Sequence, residues 1–545
     1  MKNFKRLLAL GLAAAMMTGL AAGCGDSAST SDSAETTLEA VDDIWAKYDD
    51  TITITTVVEE NTGTVFYDGE DWGDNAWYDA YLDRFNIQVE NLWVSGDYGT
   101  KLNLGIADGD LPDVFHVDSS QLQQLAEAGL IMDLTDVLEL YGSDTLKSYY
   151  EYDPDTFETG KVNGTLYGLP QETYGIIDQF QYVWIRQDWM QECGFDAPET
   201  MDDVIEIAKT FKEKYGTYGL SEYQSIDMFK KFALAYDAHL DIWVETENGI
   251  EYGSVQPEVK EALAAWADLY QQGLINPTFT TDDWQAVCQD LINSDCGITF
   301  GPQWLGYSPV PDVVDNNGPE AIFYPYAIPS VTSDITYGSV SNGNRGYIVI
   351  NKNCEHPEAV MKLVNFFCYM MDDAAGVEDY DFIMSLFDNN YPNIPYSTCV
   401  INPQTDYNQF VQVKAAVDEY LAGNEVDPTS LGKNGSKYDS CVEWTTNYDS
   451  TGVGDWLQQG NENSAYGFAK EWIDNGYYVK NKLWGANPDS LNTMGSTLND
   501  ILVEGFTKII SGVEPVDYFD TLIANWKSAG GDTVTADVNA MYGDQ

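Results

Sequence analysis

Basic residues are scarce in this chain. Its 545 residues include 26 Lys and Arg against 88 Asp and Glu, which gives a formal net charge of −62 at pH 7. A surface of this sign repels nucleic acids and disfavours phosphorylated or sulfated ligands. The composition therefore predicts no nucleic-acid partner, and solubility accounts for most of the acidic excess.

Familiar catalytic and metal-binding motifs are also missing. The chain has three histidines but no HExxH, GxSxG or glycine-rich phosphate loop, and its eight cysteines form no CxxC pair. Cys288 and Cys296 are close enough in sequence to form a disulfide bond, and the sequence does not decide whether they do. VEDYD (377–381) and DYNQ (406–409) have some oxygen-ligand spacing but lack the Gly and Glu of an EF-hand. We expect no cofactor, with a structural calcium ion as the alternative to a solvated surface.

Apolar runs long enough to cross a membrane are absent as well. Residues 7–20, LLALGLAAAMMTGL, follow a basic start and are shorter than the roughly 20 residues that a spanning helix needs. They predict a signal peptide over residues 1–23. Leu20-Ala21-Ala22-Gly23-Cys24 resembles the bacterial lipobox, which predicts cleavage before Cys24 and acylation of its thiol by fatty acids such as palmitate. The alternative is a plain secretory signal followed by a chance cysteine.

The residues after Cys24 are small, polar and acidic. Residues 25–43, GDSASTSDSAETTLEAVDD, cannot bury enough apolar surface to fold, so residues 24–45 are predicted to be a lipidated flexible linker. A diacylated cysteine anchors stably, because membrane retention takes about two chains. We therefore expect the protein to be lipid-anchored on the outer face of the cell membrane.

Aromatic residues are abundant, with 15 Trp and 36 Tyr. Aromatic faces stack on the apolar C–H faces of sugar rings, while neighbouring polar groups bind the hydroxyls. Most tryptophans belong to the core of any protein, so a few of them in a ligand cleft is the expectation.

Hydrophobic periodicity alternates between strands and helices. TITITTVV (51–58), VFHV (114–117) and GIIDQFQYVWIR (175–186) predict strands, the last as one long strand. Thr200 and Pro257 are predicted to begin helices that Gly216 and Gly273 end. Such alternation predicts an α/β architecture with mostly parallel sheets, in which ligands bind beyond the carboxyl ends of the strands.

Several ordered segments resemble a known family, the extracellular solute-binding lipoproteins that serve oligosaccharide uptake by ABC transporters. The match extends over about residues 50–370 and 483–542, and residues 371–480 fit poorly, as an enlarged insertion would. The segments that carry the resemblance are ADGDLPD (107–113), YVWIRQDWMQECGFDAPETMDDVIEIAKTF (182–211), QPEVKEALAAWADLYQQGLINPTF (256–279), DLINSDCGITFGPQW (290–304), CEHPEAVMKLVNFF (354–367) and the last helices (506–542).

The resemblance implies a periplasmic-binding-protein-like α/β fold, with two lobes around a ligand cleft and hinge crossovers. Lobe 1 would be 46–172 plus 336–400, and lobe 2 would be 173–335 plus 401–545 with the insertion. The implied function is capture of a neutral oligosaccharide by a monomer and delivery to the permease subunits of the importer, without catalysis. A surface glycoside hydrolase and a peptide-binding lipoprotein of the same fold are the alternatives.

Candidate ligand-binding residues follow from strand ends and exposed aromatic positions. Trp304 follows the strand CGITF, where a stacking platform is expected, and Glu59 and Asp118 end strands, where carboxylates accept sugar hydroxyls. The structural alternatives are a core tryptophan and solvated loops. The other candidates, some from loops and some beside the expected hinge, are Tyr174, Trp243, Arg345, Trp484, Trp444 and Trp72. Arg186, Asp188, Trp189, Trp266 and Trp526 are expected to be structural.

Overall fold

The computed structural model describes residues 38–60, 66, 69–171, 175–332, 335–344, 346–370, 399, 401 and 405–543. Within these ranges no helix is both long enough and apolar enough to cross a membrane. Described residues from position 40 onward belong to one compact unit. The expected division into two lobes, with its boundaries, stays a prediction.

Short strands form several small sheets. The strands are β1 Ile52–Glu59, β2 Ile87–Ser95, β3 Val114–Val117, β4 Lys161–Val162, β5 Thr165–Leu166, β6 Leu169–Pro170, β7 Gln181–Arg186, β8 Trp243–Thr246, β9 Gly249–Tyr252, β10 Ile298–Pro302, β11 Phe323–Ala327, β12 Gly338–Val340, β13 Tyr347–Ile350 and β14 Tyr478–Lys480.

The pairing of these strands corrects the expectation of mostly parallel sheets. Of the strands given above for the described residues, only the pairs β1–β2 and β12–β14 are parallel. The sheets β10-β7-β11 and β3-β13-β6 are antiparallel throughout. Alternation of strands and helices predicts the elements themselves. It does not predict the direction in which a strand far away in sequence returns to the sheet, because packing decides that.

Helices cover these sheets. They are α1 Ala76–Phe85, α2 Tyr98–Asp108, α3 Ser119–Glu127, α4 Thr135–Tyr141, α5 Asp144–Tyr152, α6 Pro154–Glu158, α7 Gln187–Cys193, α8 Met201–Tyr215, α9 Asp227–Phe232, α10 Pro257–Gln271, α11 Trp284–Ile292, α12 Val310–Asn317, α13 Pro357–Cys368, α14 Thr405–Leu421, α15 Gly435–Asn447, α16 Ala465–Asn475, α17 Asp489–Ile510, α18 Tyr518–Trp526 and α19 Asp532–Tyr542.

Local signals set the ends of the predicted helices. Thr200 and Asp203 form a capping box at the start of α8, and Gly216 ends this helix with a left-handed backbone, as predicted. Pro257 is the first residue of α10, whose apolar face buries Trp266 completely. These ends depend on a few neighbouring residues, which explains why the sequence located them.

The predicted long strand over residues 175–186 is wrong in its first half. Ile176–Gln179 form a 3₁₀ turn, and only Gln181–Arg186 are a strand. Gly175 begins the turn at φ 75°, a conformation that favours glycine. Phe180 then packs so close to Gly338 that a Cβ there would lie 2.7 Å from the ring. The strand therefore begins only after this turn and the close contact between Phe180 and Gly338.

The core is made of separate apolar clusters. One surrounds β7 and β10 and includes Trp266, Trp526 and the apolar faces of α8, α10, α17 and α18. A second lies between β3, β13 and α3. A third joins Tyr182 and Leu305 to Leu457 and Tyr466 of the predicted insertion. The described helices of the insertion, which lie within residues 405–475, are therefore packed directly on the strands at its base.

Arg186 is structural, as expected. Only 3% of it is exposed. Its guanidinium donates two hydrogen bonds to the Asp188 carboxylate, at 2.9 and 2.7 Å, and lies over the Trp189 ring at 4.6 Å. This fork fixes the turn from β7 into α7.

Candidate functional site

Three aromatic side chains form a row at the end of β10. Trp304 lies on the 3₁₀ turn Gln303–Gly306 and is 42% exposed. Its ring packs edge-on against Trp284 at 5.6 Å, and Trp284 lies 6.1 Å from Tyr223. Trp284 is the first residue of α11, and Tyr223 lies in the loop before α9. An exposed indole at the end of such a row has a face available for stacking.

Charged groups continue the row beyond Tyr223. The Tyr223 hydroxyl donates to the Asp227 carboxylate. The Lys230 ammonium lies 3.7 Å from Asp227 and 2.8 Å from Asp241. The Asp241 carboxylate also accepts a hydrogen bond from the Tyr252 hydroxyl at 3.3 Å. Alternating donors and acceptors of this kind match the hydroxyl groups of a polyol.

The row ends in a cavity of about 520 Å³. Its aromatic walls are Trp243, Tyr252 and Trp526, with the last two rings nearly parallel at 5.9 Å. Its polar lining is mostly amide groups, from Asn481, Asn487, Asn492 and Asn499, together with Asp241. Flat apolar faces among amides are the environment that a sugar ring requires. Trp526 is nevertheless 2% exposed, so its expected place in the core is correct.

A second cavity, of about 920 Å³, shares Asn481 with the first. Residues 119–164 line one side, and residues 480–486 with 541–542 line the other. Trp484 lies on its wall with the Lys480 ammonium 3.8 Å from its ring centroid. The buried Trp484 Nε1–H donates to no group in the described structure. A donor left unpaired in this way is costly unless something else accepts from it.

Contacts across this region join the two halves of the lining. Lys480 forms an ion pair with Asp155 of α6. Asn492 of α17 donates to the Ser120 hydroxyl of α3 at 3.3 Å. Both contacts connect groups more than 300 residues apart in sequence. The cavities therefore lie where distant segments of the chain meet.

Three chain segments, here called the crossovers, are hydrogen-bonded to one another next to Asn481, which lines both cavities. The Gln179 amide donates to the Ser341 carbonyl and accepts from the Ser341 N–H, both at 2.7 Å. The Asn481 N–H donates to the Val340 carbonyl at 2.8 Å. The Asn481 carbonyl oxygen on the side chain accepts from the Trp243 N–H at 2.9 Å. The crossovers at 176–180, 338–342 and 478–484 thus form one connected group.

The structure places two predicted site residues, Trp243 and Trp484, on the cavity walls, and a third, Trp304, at the exposed end of the aromatic row. Trp243 is only 4% exposed, so the cavity reaches the edge of its ring. The sequence prediction missed Tyr223, Trp284, Asp227, Asp241 and Asn481. Tyr223 lies in the loop before α9 and Trp284 is the first residue of α11, so both are aromatic residues beside acidic residues at a helix start, and this shared setting is the signal that would have found them.

Glu59 and Asp118 lie at strand ends, as predicted, with different surroundings. Glu59 is exposed at the end of β1. Asp118 is the N-cap of α3, where its carboxylate accepts from the Gln121 N–H at 2.7 Å in a capping box. Part of the hydrogen-bonding capacity of Asp118 is thus used within its own helix.

The remaining candidates are dispersed. Trp72 is half-buried in a turn, edge-on to Phe66 at 5.3 Å. Trp444 was expected in a loop, but it lies in α15 at 5% exposure within a core cluster, because the insertion folds into packed helices. Tyr174 and Arg345 lie outside the described residues. Their role as ligand contacts stays a prediction.

Among the described residues, the cysteines form no disulfide bond and the acidic clusters form no metal site. Cys288 and Cys296 are separate thiols, and burial raises the pKa of Cys288 to about 11 and that of Cys296 to about 12. In the part of the chain that the structure describes, no three His, Cys, Asp or Glu side chains group as metal ligands. VEDYD (377–381) lies outside that part.

Glu222 introduces a buried ionisable group beside the aromatic row. Its carboxyl accepts hydrogen bonds from the backbone N–H groups of Tyr223 at 2.9 Å, Met228 at 3.2 Å and Phe229 at 2.8 Å. Desolvation outweighs these bonds and raises the pKa of Glu222 to about 7. Burial likewise lowers the pKa of the adjacent Lys231, although Asp227 and Glu222 oppose that shift.

Comparison with known proteins relates this geometry to a family. The model of the family described as bacterial extracellular solute-binding protein matches residues 69–367. Lipoprotein LipO of Bacillus subtilis (strain 168) is 23% identical over 486 residues, which cover 84% of this chain and 86% of LipO.

Solved structures show the same fold. An extracellular solute-binding protein from Bifidobacterium longum subsp. infantis superposes with a TM-score of 0.59 at 15% identity, covering 90% of this chain and 98% of that one. The EF-hand mutant of the ABC-transporter substrate-binding protein FusA of S. pneumoniae, in complex with fructo-nystose, gives 0.55 at 15% identity with the same coverage. The predicted periplasmic-binding-protein-like α/β fold is confirmed.

The raised pKa of Glu222 predicts a pH-dependent stability. Between about pH 4.5 and 7 the folded protein holds a proton that the unfolded chain has lost, so the free energy of unfolding falls as pH rises. Over this window the contribution of Glu222 should fall by about 3 kcal/mol. Urea unfolding of wild type and Glu222→Gln across these pH values measures it. Stability curves that run parallel for the two proteins would contradict the assignment.

Proposed function

The chain belongs to the bacterial extracellular solute-binding protein family, and on this basis we propose that it captures a neutral oligosaccharide outside the cell and delivers it to an ABC importer. The protein binds and releases its ligand without making or breaking a bond. It acts as a monomer with the permease subunits of the importer as partners. The proposed binding and release of the ligand require no cofactor or metal ion.

The main support is the row Trp304–Trp284–Tyr223, which leads through Asp227, Lys230 and Asp241 to the aromatic cavity. An exposed indole offers a stacking face for one sugar ring. The ions and amides beyond it offer partners for hydroxyl groups along an extended chain. Flat apolar surfaces alternating with uncharged and charged polar groups suit a carbohydrate better than a small ion or a phosphate ester.

The related proteins support the same class of ligand. FusA is named as a substrate-binding protein of an ABC transporter, and its structure holds fructo-nystose. Its likeness to this chain is low in identity, so the sugar itself is not transferred. What carries over into the proposal is the class, an oligosaccharide.

The two groups of segments that line the larger cavity would move towards each other when the site closes around a ligand. Residues 119–164 line one cavity together with residues 480–486 and 541–542, and the two groups of segments are already connected by the contacts Asn492–Ser120 and Lys480–Asp155. The crossovers beside the cavities are short and hydrogen-bonded, so rotation about them would open and close the cleft as a hinge. A ligand that contacts both sides stabilises the closed form, which the permease then recognises.

The membrane anchor rests on the leader sequence. The lipobox-like residues before Cys24 and the polar tether that follows suggest a diacylated N-terminus on the outer face of the membrane. The relative named lipoprotein LipO supports this part of the proposal. The tether would keep the protein within reach of the importer.

Calorimetric titration with a panel of oligosaccharides tests the function. The protein from residue 25 onward should bind an intact neutral oligosaccharide such as kestose or nystose with a Kd in the micromolar range, and product analysis should find no cleavage. Turnover of a sugar would favour a glycoside hydrolase. Binding of peptides alone would favour a peptide carrier. Either result would contradict the proposal.

Trp304→Ala should weaken binding of the sugar that the wild type binds. Loss of the stacking face should cost about 1–3 kcal/mol, or roughly 5- to 150-fold in Kd. Trp45→Ala is the matched control, because Trp45 is also exposed, at 36%, and packs on Phe85 and Tyr369 instead. Equal affinities for wild type and a folded Trp304→Ala protein would remove Trp304 from the site.

Cys24→Ser should abolish lipid attachment. Without the thiol no acyl chain can be added, so radiolabelled palmitate should enter the wild type but not the variant. Cys193→Ser is the control, because Cys193 lies in the folded body. Equal labelling of Cys24→Ser and wild type would refute the anchor.

A further inference from the structure

Gln303, the residue before Trp304, forms side-chain hydrogen bonds with two separate segments of the chain. Gln303 is 4% exposed, and its side-chain amide lies between Asp178 and Gln458. The Gln303 Nε2–H donates to the Asp178 carboxylate, while the Gln303 Oε1 accepts from the Gln458 Nε2–H. Asp178 belongs to the first crossover, and Gln458 belongs to the insertion. One buried amide therefore connects the crossover, the Trp304 turn and the insertion.

The other end of the Trp304 turn is fixed in a similar way. The Tyr307 hydroxyl donates to the Asp455 carboxylate, which is 5% exposed. The Lys437 ammonium lies 3.1 Å from the same carboxylate and 3.3 Å from the Tyr307 hydroxyl. The insertion thus contributes a charged group on the Tyr307 side of Trp304 and an amide, Gln458, that reaches both sides, because its Oε1 lies 2.9 Å from the Tyr307 hydroxyl.

The backbone of the insertion comes unusually close to this turn. A Cβ on Gly454 would lie 2.3 Å from Cδ1 of the Tyr307 ring, so only glycine permits the observed packing. The chain then continues as the π-helical turn Trp456–Gly460, which carries Gln458 and Gln459. Turns of this type are rare and occur frequently at functional sites.

Docking alone does not require these polar contacts. Leu305 and Leu457 already pack in one apolar cluster. Burying Gln303, Gln458, Gln459 and Asp455 beside them costs free energy unless each group is paired, and the pairing restricts their geometry more than apolar packing does. A satisfied polar network of this kind specifies one orientation of the turn that it surrounds.

The network also extends into the crossover. Asp178 accepts a second hydrogen bond, from the Tyr466 hydroxyl at 3.4 Å. Its neighbour Gln179 is bonded to both backbone groups of Ser341. A displacement of the insertion is therefore transmitted through two side chains to the place where the crossovers meet.

We propose that the insertion positions the ligand platform: Gln458 and Asp455 hold Trp304 through Gln303 and Tyr307, and so set the affinity for the oligosaccharide without touching it. This inference rests on the proposed function. Gln458 and Asp455 are positioning residues in this arrangement, and Trp304 is the group that meets the sugar.

A double-mutant cycle tests whether Gln458 acts through Trp304. Gln458→Ala leaves the buried Gln303 Oε1 without its donor, so the Kd for whichever of kestose or nystose the wild type binds should rise about tenfold. In a Trp304→Ala background the same change should alter the Kd less than about twofold. Losses that simply add would overturn the proposal. Should Gln458→Ala fail to fold, Gln458→Met removes the donor while keeping a similar size and adding no charge.

A matched control comes from the same insertion. Gln412 on α14 accepts a hydrogen bond from the Asn434 side chain at 2.9 Å, within the insertion itself. Gln412→Ala therefore removes a glutamine and a hydrogen bond without reaching the Trp304 turn. Its Kd should match that of the wild type. A rise equal to that of Gln458→Ala would show a general effect of loosening the insertion and would overturn the specific role of Gln458.

A spectroscopic measurement separates this inference from the proposed function. Protein labelled with 5-fluorotryptophan gives a fluorine resonance for Trp304, which Trp304→Phe identifies. Gln458→Ala should shift or broaden this resonance in the absence of any ligand, whereas Gln412→Ala should not. An unchanged Trp304 resonance would overturn the positioning role. Failure of the wild type to bind any sugar would refute the proposed function alone.

Discussion

One pair of hydrogen bonds, between Gln179 and Ser341, aligns the first two crossovers beside the third, whose residue Asn481 lines both cavities. The Gln179 side-chain amide donates to the carbonyl and accepts from the N–H of Ser341, so it pairs with the backbone as another strand would. Asn481 joins the third crossover to the second through the Val340 carbonyl. Amides can serve as donor and acceptor at once, which satisfies buried backbone groups where regular sheet pairing stops. The walls of both cavities are carried by the segments that these bonds align.

Charge is distributed unevenly around this framework. The chain has few basic residues, yet Lys161, Lys480 and Lys482 all line the larger cavity. Each is paired with a carboxylate, from Glu158, Asp155 and Glu245 respectively. Pairing keeps the lining polar but nearly balanced, so neither strongly anionic nor strongly cationic ligands gain much from the local field. The orientation of hydroxyl groups, more than net charge, is then what the lining distinguishes.

The insertion illustrates how a family fold acquires an additional constraint. Residues 405–475 have a small core of their own around Val413, Val417 and Cys441, and they share a larger one with the strands at their base. Their contact with the Trp304 turn is polar and close. The packing of the insertion buries Trp444 in α15 and places Gln458 within hydrogen-bond distance of Gln303. Trp444, which the sequence predicted as a ligand contact, therefore belongs to the core.

The sequence by itself determined the features that depend on neighbouring residues. These are the capping box at Thr200, the helix start at Pro257, the exposed tryptophan after β10, and the ordered motifs that identify the family. Each results from local periodicity, capping or composition, which a short window of residues contains.

Only the tertiary structure decided which distant groups meet. Strand direction, the bend at Phe180 and the pairing of Trp284 with Tyr223 depend on contacts between segments far apart in the chain. Asn481 could not be recognised from its neighbours, because its importance comes from two crossovers and two cavities that converge on it. Local sequence specifies elements, whereas a binding site is defined by side chains that long-range packing brings within a few ångströms of each other.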